Sequence, residues 1–331
     1  MKLNKKTMLG VFLVIIAGVF VVSSIVLGVK TNKRMEVIFI SKNVDDSDFW
    51  SSLVAGARMA AEEYNIKLTV DAPEQEENYT EQNELIRKAI KQKPDAIALA
   101  PSDYAKSAEA AQEITDHGIK LVLIDSIVKG EPADAIVATD NYKAGMTMGK
   151  WVTRECKEVC QIGIISHVKG SSTAIEREKG LRDGLGSLEK DIAQVVYSNS
   201  NYSQAYDVTK TLLLEHPEIN VLAGLNEYST VGAARAIKDM GLSHKVKIIG
   251  FDNSIEEIEL LESDIVDGLV IQKSFDMGYL GIQTVAKLVN GEQVNSIDID
   301  SGSKLILKEN IYTDENQKLL FPFQTTEKSM K

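Results

Sequence analysis

Between residues 36 and 290 the chain alternates short runs rich in Val, Ile and Leu with longer segments at helical spacing, and it does so twice. An apolar run too short for a helix, followed by a helical segment, predicts a βαβ unit, in which successive strands lie parallel in one sheet. Strands are expected at 37–41, 68–71, 96–100, 121–125 and 136–139, with helices at 49–64, 81–91 and 105–117. After Asp140-Asn141 the pattern restarts with a helix to about residue 155 and strands at 162–166, 194–197, 221–225, 246–251 and 268–271. A last helix at 276–290 precedes extended segments at 296–300 and 304–308. The expected fold is α/β, with two similar doubly wound parallel-sheet lobes.

Ahead of this body, residues 8–29 form an uncharged run of 22 residues, MLGVFLVIIAGVFVVSSIVLGV, between Lys5-Lys6 and Lys30. At about 1.5 Å per residue it reaches about 33 Å, enough for a hydrocarbon core of about 30 Å and longer than a typical secretory h-region. The expectation is a retained transmembrane anchor after a short cytoplasmic tail, residues 1–7. A cleaved signal peptide is the competing reading, because Val21-Val22-Ser23 is a tolerable cleavage site. Lipidation is disfavoured, since the only cysteines are Cys156 and Cys160, far beyond this segment. In an exported domain these two form either a disulfide or two packed thiols; with no His nearby, a metal site is not expected.

The first 34 residues hold six basic and no acidic residues, leaving 31 basic against 48 acidic in the rest. Such a surface repels nucleic acid, whose binding needs cations against phosphates. Catalytic signatures are missing: there is no GxGxxG after a strand, no GxxxxGK[ST], no HExxH and no GxSxG. His117, His167, His216 and His244 stand far apart and are each read most simply as surface or capping residues. No cofactor or metal is expected.

Ligands of open α/β sheets bind in the crevice beyond the carboxyl ends of the strands. Strand one runs into Asp45-Asp46-Ser47-Asp48-Phe49-Trp50, strand four into Asp125-Ser126, and later strands into Asn226, Asp252 and Gln272. Carboxylates and amides suit vicinal hydroxyls, and an indole face suits the apolar face of a sugar ring. Each Asp or Asn alone is equally an ordinary helix cap.

From about residue 36 to 308 the chain resembles periplasmic sugar-binding proteins of the ribose-binding type. The colinear segments FWSSLVAGARMAAEE, DAIALAPSD, VLIDS, VATDN, SSTAIEREKGLRDGL, NEYSTVGAARAI, IIGFDNS and VIQKSFDMGY carry that resemblance. It implies that Phe49 and Trp50 sandwich a sugar and that Asp125, Arg177, Tyr202, Asn226, Asp252 and Gln272 complete the site. Two departures matter: Ser47 stands where ribose binders have Asn, and Ser126 where they have Arg, so another pentose such as xylose fits the pattern as well as ribose. The resemblance also implies hinges near Asp140, Gln272-Lys273 and Asp298–Ser301. The lobes would then comprise 36–139 with 274–299, and 140–272 with 301–312, leaving 313–331 as a tail.

Repressors sharing this fold carry an N-terminal helix-turn-helix, whose place the apolar run takes here. A glycosidase pair made of Asp125 and Asp252 lacks general-acid machinery around it. The expected function is a membrane-tethered monosaccharide-binding protein that docks on the extracellular domain of a histidine kinase, similar to xylose-sensing co-receptors of two-component systems. The alternative is delivery of sugar to an ABC permease.

Overall fold

Two six-stranded sheets account for the twofold alternation. The computed structural model describes residues 34–320 apart from 45, 46, 131, 158 and 295; the expected anchor lies outside these residues. Among the described residues no helix is long and apolar enough to cross a membrane.

The first lobe contains β1 (Met35–Ile40), α1 (Asp48–Glu63), β2 (Ile66–Asp71), α2 (Tyr79–Gln92), β3 (Ala96–Leu99), α3 (Ala108–Asp116), β4 (Lys120–Ile124) and β5 (Ala135–Ala138). The second contains α4 (Asn141–Glu155), β6 (Ile162–Ser166), α5 (Ser172–Leu185), β7 (Ile192–Tyr197), α6 (Tyr202–Glu215), β8 (Val221–Gly224), α7 (Glu227–Asp239), β9 (Lys247–Phe251), α8 (Ile255–Glu262) and β10 (Gly268–Gln272). The chain then returns to the first lobe for α9 (Ser274–Val289) and β11 (Asp298–Asp300), and ends its described course in the second with β12 (Ser303–Ile306) and α10 (Asp314–Leu320).

The sheet orders are β11-β5-β4-β3-β1-β2 and β12-β10-β9-β8-β6-β7. Each chain path starts inside its sheet and winds first one way, then the other, so a crevice opens where the order reverses: between β1 and β3, and between β6 and β8. The inner strands are buried on both faces, as helices flanking a parallel sheet require; all four residues of β3, for example, are inaccessible. β12 runs antiparallel to β10. Helices α1 and α9 cross at contact distance because Gly56 and Gly278 lie there; a Cβ at Gly56 would overlap the Phe275 carbonyl.

Two details depart from expectation. Asp298 pairs with Ile136 inside the first sheet, so the third crossing falls at Ser301-Gly302, between β11 and β12. Asp140 and Lys273 do sit at crossings: the Asp140 N–H donates to Asp300 Oδ1 at 3.1 Å, and Lys273 precedes α9. The expected tail from residue 313 begins with α10, whose Leu320 packs into the second lobe's core with Ile306 and Ile311. A seven-residue helix with one apolar pair is too short to show a periodicity. Cys156 and Cys160, at the end of α4, have Cα atoms 6.0 Å apart and their sulfurs joined.

Candidate ligand-binding cleft

The carboxyl ends of both sheets face each other across a cleft, and the two lobes repeat one local device there. The residue after β4 is Asp125 (φ 66°), and the residue after β9 is Asp252 (φ 84°). A left-handed backbone is uncommon for a residue with a side chain, though Asp tolerates it better than most. Each Asp is held in it by a main-chain bond to the next strand: Asp125 N to Val137 O and Asp252 N to Val270 O, both 3.0 Å. The turn directs one buried carboxylate from each lobe into the cleft.

Around these two, the cavity is lined by Ser47, Phe49, Trp50, Arg177, Asn226 and Gln272, all expected, and by Lys42, Glu76, His167, Thr173, Glu227 and Tyr228, which were not. Lys42 Nζ donates to Asp125 Oδ2 at 2.8 Å. Trp50 Nε1 donates to Glu76 Oε1, which puts the indole against the cleft, and Glu76 Oε2 accepts from Ser200 of the other lobe at 2.8 Å. Gln272 Nε2 donates to Asp252 Oδ1 at 2.7 Å. Arg177 lies over Phe251, 3.7 Å from its centroid, and donates to Asn141 Oδ1 and Leu225 O, both at 2.8 Å. Ser47 and Asn226 are also helix caps, accepting from the main chain of Trp50 and Ser229. Capping and lining are therefore one arrangement at these positions, not rival roles.

Two expected residues are placed elsewhere. Ser126 turns its hydroxyl back onto Asp125 Oδ2 and does not line the cavity. Tyr202, at the start of α6, points its hydroxyl to Glu227 Oε1 on the outer side, and Tyr228, 4.6 Å away between ring centroids, is the aromatic that faces inward. His167, expected as a surface or capping residue, is 3% exposed and lines the cleft, with Nε2 bonded to Thr173 and Nδ1 buried without a partner.

Burial sets the electrostatics. It raises the carboxyls of Glu76 and Asp252 above the usual range, although Lys42 and Arg177 respectively oppose the rise, and it pushes Glu227 up to about 7. Burial works against ionisation of Asp125 too, but the Lys42 and Arg177 cations outweigh it and hold that carboxyl below its ordinary value. His167 is driven well down by burial and the same two cations, so it stands neutral near pH 7.

The lobes are shut on one another. Tyr104 N–H donates to Gly170 O at 2.7 Å, Ile127 N–H to Ser172 Oγ at 3.0 Å and Phe49 N–H to Glu227 Oε2 at 3.0 Å, each from the first lobe to the second. The space enclosed is about 30 Å³, room for about two water molecules. A larger guest enters only if the lobes part and the paired side chains exchange their partners for its own groups. A separate groove of about 1030 Å³ borders the hinge, lined by residues such as Ile255, Phe275 and Leu319. Of the strand-end polar groups only Gln272 reaches it.

Residues 37–293 match the family model of the periplasmic binding protein domain. The chain belongs to that family. It is 24% identical over 275 residues to the D-ribose/D-allose-binding protein of Pseudomonas aeruginosa, covering 80% of this chain and 85% of that one. A sugar transporter structure from Clostridium phytofermentans is 50% identical, with a TM-score of 0.79, over 83% of this chain and 99% of that one. The XylFII-LytSN complex contains a chain of the same fold, 24% identical with a TM-score of 0.77, over 83% and 98%.

Proposed function

We propose that this protein binds a neutral monosaccharide between its lobes and closes over it. The observation that carries the reading is the cleft itself: Asp125, Asp252, Asn226 and Gln272 come from strand ends of both lobes and Arg177 from α5, beside the Trp50 indole, and all are buried when the lobes meet. Vicinal hydroxyls each donate and accept, so they can take over the bonds these forked groups now make among themselves. The ribose- and allose-binding relative and the sugar transporter support a sugar as the guest. Calorimetry with D-ribose, D-xylose, D-allose and D-galactose tests this; no heat with any neutral monosaccharide would refute it.

Residues 8–29 are proposed to stay in the membrane, with the binding domain outside the cell. A fixed anchor suits a co-receptor whose closed form docks on a histidine kinase, and the partnership named in the XylFII-LytSN structure supports that output. Delivery to an ABC permease is favoured instead by the transporter relative. Deleting the protein separates the two: loss of sugar-dependent gene induction with uptake intact supports sensing, and loss of uptake with induction intact supports transport.

A further inference from the structure

At the mouth of the cleft two helices from opposite lobes each take a carboxylate from the other. Glu227 of the second lobe accepts from the first two main-chain N–H groups of α1, Asp48 at 3.3 Å and Phe49 at 3.0 Å. Asp48 of the first lobe accepts, through Oδ2, from the first N–H of α8, that of Ile255, at 2.9 Å. The opening N–H groups of a helix have no partner within it and carry the positive end of its dipole, so a carboxyl oxygen there is a hydrogen-bond acceptor and, where the group is ionised, a favourable charge as well.

Each helix already has a cap from its own lobe, and that cap covers different donors. Ser47 accepts from Trp50 N in α1, while Ser254 accepts from Glu257 N in α8 and the Glu257 carboxylate returns to Ser254 N. What the local caps leave over is what the opposite lobe supplies. Glu227 is fixed for this task by the Tyr202 hydroxyl, and its own N–H donates to Asp252 Oδ2 at 3.0 Å. Asp252 lines the cavity, so the crossing point is one residue away from the guest.

We propose that Asp48 and Glu227 form a reciprocal capping latch that exists only when the lobes are shut and that sets the lifetime of the closed state. The proposal rests on the reading that the lobes close over a ligand. Asp48 is the clean probe, because it is exposed and lies outside the cavity lining.

The test uses full-length protein and stopped-flow binding of D-xylose, D-ribose and D-allose. Asp48→Ala is expected to speed release roughly fivefold, the effect of losing about one helix cap. Association should stay within about twofold, and the melting temperature of the sugar-free protein should hold. Asp48→Asn, whose Oδ1 still accepts, should release sugar like the wild type. Unchanged release in Asp48→Ala, or an Asn variant as fast as the Ala variant, would overturn the latch. If the wild type binds none of the three sugars, the sugar reading loses its support separately. The latch is then read from interlobe distances by paired spin labels: Asp48→Ala must lower the closed fraction of the unliganded chain, and an unaltered fraction overturns the latch.

Discussion

Replacing Gly170 with Ala should weaken ligand binding severely while leaving the separate lobes intact. Gly170 follows β6 and meets the first lobe at the rim of the cleft, where its carbonyl accepts from Tyr104 N at 2.7 Å. A Cβ placed there would overlap Asp103 Oδ2 and stand 2.8 Å from Asp103 Cγ, where ordinary contact begins at 3.4 Å. Asp103 cannot simply swing away, because its Oδ1 accepts from Ala105 N and Lys106 N, at 2.9 and 2.8 Å, and holds the turn before α3. The rim must part instead. Losing the Tyr104 bond costs about 1 kcal/mol and the overpacking about 1–3 kcal/mol more. A closed state poorer by about 2–4 kcal/mol corresponds to affinity roughly 30- to 700-fold weaker. Gly170 has no left-handed backbone to forbid Ala, so the open protein pays no such penalty and its melting temperature should hold. Calorimetry with the sugar that binds the wild type measures the loss, and adding Asp103→Ala should restore much of it. Wild-type affinity in the single variant would refute closure at this rim as a condition of binding.

Trp50 fluorescence should change on binding, because its indole bonds to Glu76 at the cavity wall, whereas Trp151, buried in the second lobe's core, should be silent; a signal surviving in Trp50→Phe would count against this. Arg177→Ala should cost affinity and also lower the melting temperature of the unliganded protein, by about 2–4 kcal/mol of stability in chemical denaturation. It strands Asn141 Oδ1 and the Leu225 carbonyl and uncovers Phe251; an unshifted denaturation midpoint would contradict the anchoring role. Affinity should fall as pH rises from about 6 to 7.5. Glu227, held up to about 7 by burial in the closed form, returns toward about 4.3 when exposed. Closing therefore takes up a proton between those values, so its contribution is full below the lower one and lost through the upper. Asp252, which lines the cleft and is also raised by burial, acts in the same sense, whereas neutral His167 opposes it toward acid. Glu227→Gln should flatten the profile in titration calorimetry, and an equal slope in both proteins would assign it elsewhere.

The strand positions were legible because a strand buried on both faces reads as an uninterrupted apolar run, and each lies within about two residues of its expected place. The site was legible wherever a polar residue follows such a run directly, as with Asp125, Asn226, Asp252 and Gln272. The same rule extends to His167, one residue beyond β6, and to Lys42, two beyond β1. Glu76 and Tyr202 are different. Whether a loop carboxylate folds inward depends on a partner far away in the chain, here Trp50 and Ser200, and whether Tyr202 or Tyr228 faces the guest depends on how α6 and α7 pack. Neither is written in local sequence.

The position after Asp125 shows what the cleft has kept and what it has changed. Where the ribose-type pattern places an arginine, Ser126 bonds back to the Asp125 carboxylate, and the cation arrives from just beyond β1 as Lys42. A lysine neutralises Asp125 as well as an arginine would, which is why that carboxyl stays ionised in a buried site. It does so as a point charge on a flexible stem, without the planar fork that fixes two hydroxyls at once. Selection among sugars then shifts to the groups that remain rigid: Arg177, clamped by Asn141 and Leu225, the Gln272–Asp252 pair, and the Trp50 wall. Four carboxyls, Glu76, Asp125, Glu227 and Asp252, line the cavity against two permanent cations. Added negative charge on the guest would have to displace hydrogen-bond donors from carboxylates already paired with them, at a cost that burial makes larger. A neutral polyol avoids that cost, offering each carboxyl a hydroxyl to accept from and leaving Lys42 and Arg177 with the acids they already balance.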